Sequence, residues 1–491
     1  MLTEPARTEI GLAGRRIRDL LTAPVVTCPP ETSVADAAGL MARRGASSVV
    51  VTGADGGVAG IVTDRDLRTK VLAAGRPASA AVSSIMTAPV LAIGPDAPAL
   101  AGLLEMTRAG IHHLPVIDDG RLVGMISSHD LLQAQGAHPV LVVRRIEAAT
   151  SFEALAAAVP GVRSVVRGLA QGGAGAGEIS RIVAELNDRL VSRAVALVEA
   201  ELAAEGHGAP PVPYSWCAAG SEGRREQTLN TDQDNGLIYA DPPEALRTEA
   251  NGYFPRLARA VVERLVRLGF PECPGGFMAS NTRWCQPASA WRAAFASWME
   301  TPEPERVLAA AIYFDLRPVA GDPGPGDGVW RWVCGAAPAH RLFLRFLARD
   351  AVERRPPLGF FGRFAVARSG PHAGRLDLKA RAVLPMTQAM RAYALSLGAR
   401  DTNTLDRLTA AGAHGALGAT EVRDLRDAYE VIGRVRLGHQ LALLDAGLPP
   451  DNFIDPAGLG RADRVLLAEA FRTLGSLQRR VEDRFQTSGI G

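Results

Sequence analysis

The run GSEGRREQTLNTDQDNGLIY, Gly220 to Tyr239, combines residue types that could handle a phosphorylated ligand. Asp232 and Asp234 stand one residue apart, and carboxylates that close repel unless a cation or ligand lies between them. Read as the start of a strand, the pair projects from one face because side chains alternate. Two carboxylates on one face can share Mg²⁺, which takes oxygen ligands and substrate phosphates. The Gly220-Ser221 turn lets backbone amides and a hydroxyl approach a triphosphate, and Arg224 supplies a charged fork to it. A helix beginning at Ser221 would bring Arg224 back over its own start and turn Arg225 about 100° away, toward a structural contact. The chemistry this allows is in-line attack on an α-phosphorus with metal steadying the entering and leaving oxygens. An EF-hand would need Gly at the sixth loop position and Glu at the twelfth, which no register of Asn230, Asp232 and Asp234 supplies. A P-loop would need Gly-Lys-Ser/Thr, which is absent from this run. The plainer alternative is a surface turn with solvated aspartates.

Elements on either side must hold these groups. The segment GAPPVPYSWCAAGS reads as a strand ending at Gly220-Ser221, and 236–240 as a second strand. Strand, Gly-Ser turn and Asp-x-Asp before a strand resemble the nucleotidyltransferase superfamily typified by DNA polymerase β. The full run resembles more closely the nucleotidyltransferases related to the PII uridylyltransferase, and the likeness continues through GGFMASNTRWCQP and AAIYFDLRPVAGD. The resemblance implies Mg²⁺-dependent transfer of a nucleoside monophosphate from an NTP to an acceptor, a protein or a small molecule. Asp232 and Asp234 would hold the metal, and Gly220, Ser221 and Arg224 the triphosphate. Many superfamily members use a third carboxylate from a later strand. PGGFMASN offers none, and Asp315 lies in a stretch, 305–316, that reads equally as a helix. One metal is the expectation. The missing carboxylate also keeps a rival open: a nucleotide-sensing scaffold that transfers nothing and acts through partners.

The first 136 residues contain a duplication. TAPV at Thr22 returns at Thr87, and Asp66 pairs with Asp130, so one residue is lost near Asp55. Each copy reads as a Pro-Val segment, a cap (Thr32 or Ser33; Asp96), a short helix, a β-branched strand, a Gly turn, a second strand and a helix. This repeated unit resembles a tandem pair of CBS domains, copies 15–76 and 80–136. GIVTDRD and GMISSHD meet the family's nucleotide-contacting pattern, which implies an adenine nucleotide at Thr63 and Asp66 or at Ser127 and Asp130. A carboxylate can accept from both ribose hydroxyls, and a hydroxyl at a helix start can join amides around phosphate. The bland alternative is that Asp66 and Asp130 only cap helices. His112-His113 is a poor metal pair, because neighbours on a strand face opposite ways.

The whole reads as a multidomain α/β plus all-α chain. A tandem CBS pair spans 15–136 and a helical connector 137–209. A polymerase-β-like nucleotidyltransferase module spans 210–325, and a helical domain 326–487 resembles the substrate-binding domain found after this module. In that domain Arg434, Arg436, His439 and Gln440 share roughly one helix face, Lys379 sits in a loop-like stretch, and Met386 and Met390 read as core. At 491 residues the chain is too long for one core. A net charge of +2 gives no general attraction to nucleic acid or anionic membrane. Five scattered cysteines without a CxxC pair point to a reducing cytoplasm, and the N-terminal residues lack a signal-peptide core. Dimerisation through the CBS pair is expected by resemblance alone.

Overall fold

The computed structural model describes residues 15–21, 25–54, 56–133, 139–229, 232–303, 311–359 and 363–488. Thr22, Ala23 and Pro24 at the start of the first repeat, Asp55, Asn230 and the first half of the stretch expected as a 305–316 helix lie outside the described residues. The chain forms two compact units, Met1–Leu141 with Ser164–Ala174, and Val142–Arg163 with Gly175–Gly491.

In the first unit, the first repeat builds a three-stranded sheet from β1 (Thr27–Cys28), β2 (Ser48–Thr52) and β3 (Val58–Thr63). β1 runs parallel to β2, and β3 antiparallel to it. The valines of β2 are buried on both faces, as a central strand requires. Helix Val34–Arg44 begins at Ser33, whose hydroxyl accepts from Asp36 N, and ends at Gly45, whose φ of 60° suits glycine. The second repeat pairs β4 (His113–Asp118) with β5 (Arg121–Ser127). Its counterpart of β1 is reduced to one parallel bridge, Ile93 to Val116. Asp96 is not the expected cap. Helix Ala99–Ala109 starts after Pro98 without a side-chain cap, and Asp96 pairs with Arg16 and Arg18 instead.

In the second unit a mixed sheet of order β8-β7-β6-β9 stands at the centre: β6 (Tyr214–Ala218), β7 (Asn235–Tyr239), β8 (Cys285–Pro287) and β9 (Arg317–Gly321). β6 and β7 are buried throughout, which their continuous apolar runs dictate. The Ala176–Ala204 helix buries Ile179, Ile182, Val183, Leu186 and Leu190 on one face. Trp284, Trp291, Phe295, Trp298 and Phe314 pack with Tyr313 into an aromatic core. The remainder is helical: Arg341–Glu353, Leu384–Ser396, Thr404–Ala413, Ala419–Asp445 and Arg461–Phe485 surround a core that includes Met386 and Met390. A two-residue ladder joins β10 (Leu376–Asp377) to β11 (Phe453–Ile454). Lys379 opens one turn of π-helix, Lys379–Val383, rather than lying in a loop.

Candidate functional site

β6 runs out at Ala218, and Ala219 caps a single helical turn, Gly220–Gly223. Beside it β7 begins at Asn235, and the pairing continues one step beyond the strands: Ala219 N donates to Asp234 O at 2.8 Å. The turn and the acidic segment are therefore held side by side. Gly220 has φ 55°, and a β-carbon there would stand 2.7 Å from Asp234 Oδ2 and 2.8 Å from Ile312 Cγ1. Only glycine supplies both that conformation and that clearance. At Gly223 a β-carbon would overlap the carbonyl oxygen of Asp315.

Asp232 and Asp234 precede β7 instead of alternating within it; the strand begins at Asn235, one residue ahead of the expected 236. They nonetheless act on one another. Burial pushes the Asp234 carboxyl well above the usual range; a bond from the Cys273 thiol opposes this, Asp232 adds repulsion, and Lys379 and Arg224 draw it back down. Asp234 Oδ1 is buried and has no hydrogen-bond partner among the described residues. An orphaned carboxylate oxygen beside a second carboxylate fits a hard, oxygen-seeking cation such as Mg²⁺. Among the described residues no group of three or more His, Cys, Asp and Glu side chains gathers as a metal site, so water and phosphate oxygens would complete the coordination.

Glu222 escaped the sequence reading although it stands inside the quoted run. It is buried, and burial together with Asp188 and Asp234 pushes its carboxyl up to about 8, against the pull of Arg317 and a bond from the Asp234 backbone. Arg317 explains how the turn is fixed. Its Nη1 and Nη2 donate to Asp188 at 2.7 and 2.9 Å, while Nη2 and Nε reach the carbonyls of Glu222 and Gly223. From the helical side Thr402 Oγ1 donates to Gly223 O, Asn403 Nδ2 to Arg224 O, and Thr404 N to Glu226 Oε1.

Two expectations are corrected here. Arg224 does not hold its guanidinium free as a phosphate fork: Nε donates to Glu226 at 2.8 Å and Nη1 to Asp315 at 2.5 Å, and the side chain is buried. Asp315 is no third carboxylate for a metal. It is fully buried and bonded by Arg224, Arg391 and Arg407, and those guanidiniums, overcoming the effect of burial, hold it far below the usual range. The residue after Arg224 marks where the chain bends: Arg225 has φ 57°, so the two arginines leave the turn in different directions.

Next to this turn a cleft opens to solvent. Ser221, Arg224 and Glu226 line one side, and Lys379, Tyr429 and Arg436 another. Of the four residues expected to share a helix face, Arg436 alone lines this cleft. Arg436 and Gln440 donate to Asn452 Oδ1, His439 meets Asp451 at 2.7 Å, and Arg434 pairs with Asp463. The helix face thus clamps the DNF segment at 451–453.

In the first unit Asp66 Oδ2 accepts from Thr63 N and Oγ1, and Oδ1 pairs with Lys70 at 2.8 Å. Asp130 Oδ2 accepts from Ser127 N and Oγ in the same way. Both motifs form helix-start boxes. His113 meets Ser47 at 2.7 Å, and His112 faces Ser128 at 3.4 Å.

The family model described as "Putative nucleotidyltransferase DUF294" matches residues 161–305, and "Putative nucleotidyltransferase substrate binding domain" matches 341–485. The CBS domain model matches twice, at 17–73 and 82–137. The CBS domain-containing protein CBSCBSPB3 of Arabidopsis thaliana is 28% identical over 262 residues, covering 53% of this chain and 44% of its own length. The mitochondrial CBS domain-containing protein CBSX3 of the same plant is 32% identical over 145 residues, 27% of this chain and 70% of that protein. The crystal structure of the CBS-domain containing protein ATU1752 from Agrobacterium tumefaciens is 37% identical, covers 24% of this chain and 98% of its own, and has a TM-score of 0.23. The chain thus spans less than half the length of the first of these relatives. Among the described residues no helix is long and apolar enough to cross a membrane. The chain belongs to the CBS-domain-containing proteins that carry a DUF294 nucleotidyltransferase domain followed by its substrate-binding domain.

Proposed function

We propose that the protein transfers a nucleoside monophosphate from an NTP to an acceptor hydroxyl, in the manner of PII uridylyltransferases, and that the acceptor is a protein. The observation that carries this reading is the contact of Gly220 with Asp234, whose Oδ1 is buried without a partner among the described residues. Asp232 and Asp234 would hold Mg²⁺, which when bound supplies charge stabilisation to the reacting phosphates. Gly220 and Ser221 present the turn to those phosphates, while Arg317 and residues 402–404 keep it rigid. Adenine nucleotide at the CBS pair regulates transfer, by binding more tightly to one conformation of the protein than to another. A cytoplasmic homodimer joined through the CBS pair is part of the same reading.

The test is incubation with labelled NTPs, Mg²⁺ and cell extract. Label should pass to an acceptor with the wild type and not with Asp232→Asn/Asp234→Asn. Undiminished transfer by the double variant would sink the assignment. One observation favours a second reading, a nucleotide-sensing scaffold: Asp315, the remaining carboxylate candidate, is taken up by arginines. Binding of NTP with no labelled acceptor under any condition would select that reading.

A further inference from the structure

Lysine is almost absent from this chain. Of 54 lysines and arginines two are lysines, Lys70 and Lys379. Lys70 is fully engaged by Asp66, the Ile85 carbonyl and Thr87. Lys379 is exposed, and among the described residues its ammonium makes no hydrogen bond or ion pair. It lines the same cleft as Ser221 of the Gly-Ser turn.

The charges lining that cleft do not cancel. Arg224 is met by Glu226 and Asp315. Arg436 donates to the neutral amide of Asn452 and makes no ion pair among the described residues. Two cations, Lys379 and Arg436, thus line the cleft without an ion pair among the described residues, Lys379 close enough to Asp234 to draw its pKa down, and Val383, Met386, Ile432 and Leu437 share the lining. A cleft lined by both cations and apolar side chains suits an anionic tail joined to a less polar body. An ammonium on a flexible stem is a point charge that can follow a phosphate chain, where a guanidinium fork demands a fixed plane.

We propose that this cleft seats the polyphosphate tail of the nucleotide, with Lys379 as its chief cationic contact and Arg436 as its second; this rests on the reading of the protein as one that takes an NTP. Lys379 thereby takes the role first given to Arg224. Its exposure costs the fold nothing and leaves the charge available for a ligand.

The experiment is calorimetric titration of the full-length protein with ATP, UTP and inorganic tripolyphosphate, in chelator and again with Mg²⁺. Lys379→Ala should weaken binding of the favoured NTP and of tripolyphosphate by about 10-fold or more, the loss expected for one charge-assisted contact. Its melting temperature should match the wild type, and Lys379→Arg should recover part of the affinity. Unchanged affinities in Lys379→Ala would overturn the proposal. So would a wild type that fails to bind tripolyphosphate, or a loss confined to NTP. Titration in chelator reads the cleft without the metal, so its failure is separate from failure of the transfer assay. A transfer-dead Asp232→Asn/Asp234→Asn protein that still binds tripolyphosphate through Lys379 would support the cleft on its own terms.

Discussion

Gly220 and Asp234 are in contact through a glycine that has no room for a β-carbon: one would lie 2.7 Å from Asp234 Oδ2. With φ at 55°, alanine there would also pay the left-handed penalty of about 1–2 kcal/mol. Gly220→Ala should therefore lower stability by roughly that amount and displace the Asp234 carboxylate. Denaturant titration reads the first effect. Nucleotide transfer should fall at least about 10-fold, the rate equivalent of 1.4 kcal/mol. Wild-type transfer in a folded Gly220→Ala protein would contradict the contact's role.

The two aspartates should behave oppositely toward fold and function. Their repulsion and the burial of Asp234 weigh against the metal-free fold. Asp232→Asn/Asp234→Asn should keep or raise the melting temperature while abolishing Mg²⁺-dependent transfer. The checks are a thermal melt in chelator and the labelled-NTP assay.

Asp315 should be among the costliest single positions. Asp315→Asn leaves three buried guanidiniums around a neutral group, and breaking such a cluster costs about 3–5 kcal/mol. Its folded pKa is depressed, so its stabilisation is complete above the ordinary aspartate range and is lost as pH falls below that range toward the folded value. Acid titration of the wild type should show a steep loss below about pH 4. Asp315→Asn, if it folds, should show a shallower one. Arg224→Ala should likewise act on stability, because it strips a partner from both Asp315 and Glu226.

The two CBS boxes should differ in strength. Asp66 caps its turn and also pairs with Lys70, whereas Asp130 caps alone among the described residues. Asp130→Ala should cost about 1 kcal/mol, as losing a cap does. Asp66→Ala should cost more, by up to about 1 kcal/mol for the partly exposed pair. Thermal melts of the full-length variants decide this, and calorimetry with AMP should count at most one site lost by each substitution.

The elements around the site could be read ahead because they are local. The β6 and β7 segments are apolar runs bounded by turn residues, and the duplication announces itself in sequence. The position of Asp232 and Asp234 was nearly legible, off by one residue at a strand start. The fate of Arg224 was not. Its partner Asp315 lies 91 residues away and Arg407 reaches the same carboxylate from 92 residues beyond that, and no periodicity in any short window carries this. Glu222 was visible as a letter, but its raised pKa comes from burial first and then from Asp188 on a distant helix. Lys379 looked like one more loop cation until it proved to line the same cleft as Ser221.

The clamp that residues 402–404 close on the Gly223–Glu226 segment carries a consequence for the newly made chain. Synthesis runs from the N-terminus, and units made early can fold before later ones emerge. When Asp234 leaves the ribosome the turn beside it still lacks Thr402, Asn403 and Thr404, and Asp315 awaits Arg391 and Arg407. The buried cluster cannot neutralise itself until the ribosome has passed residue 407. The turn beside Asp234 is therefore held by its full set of contacts only after residues 391–407 have been made.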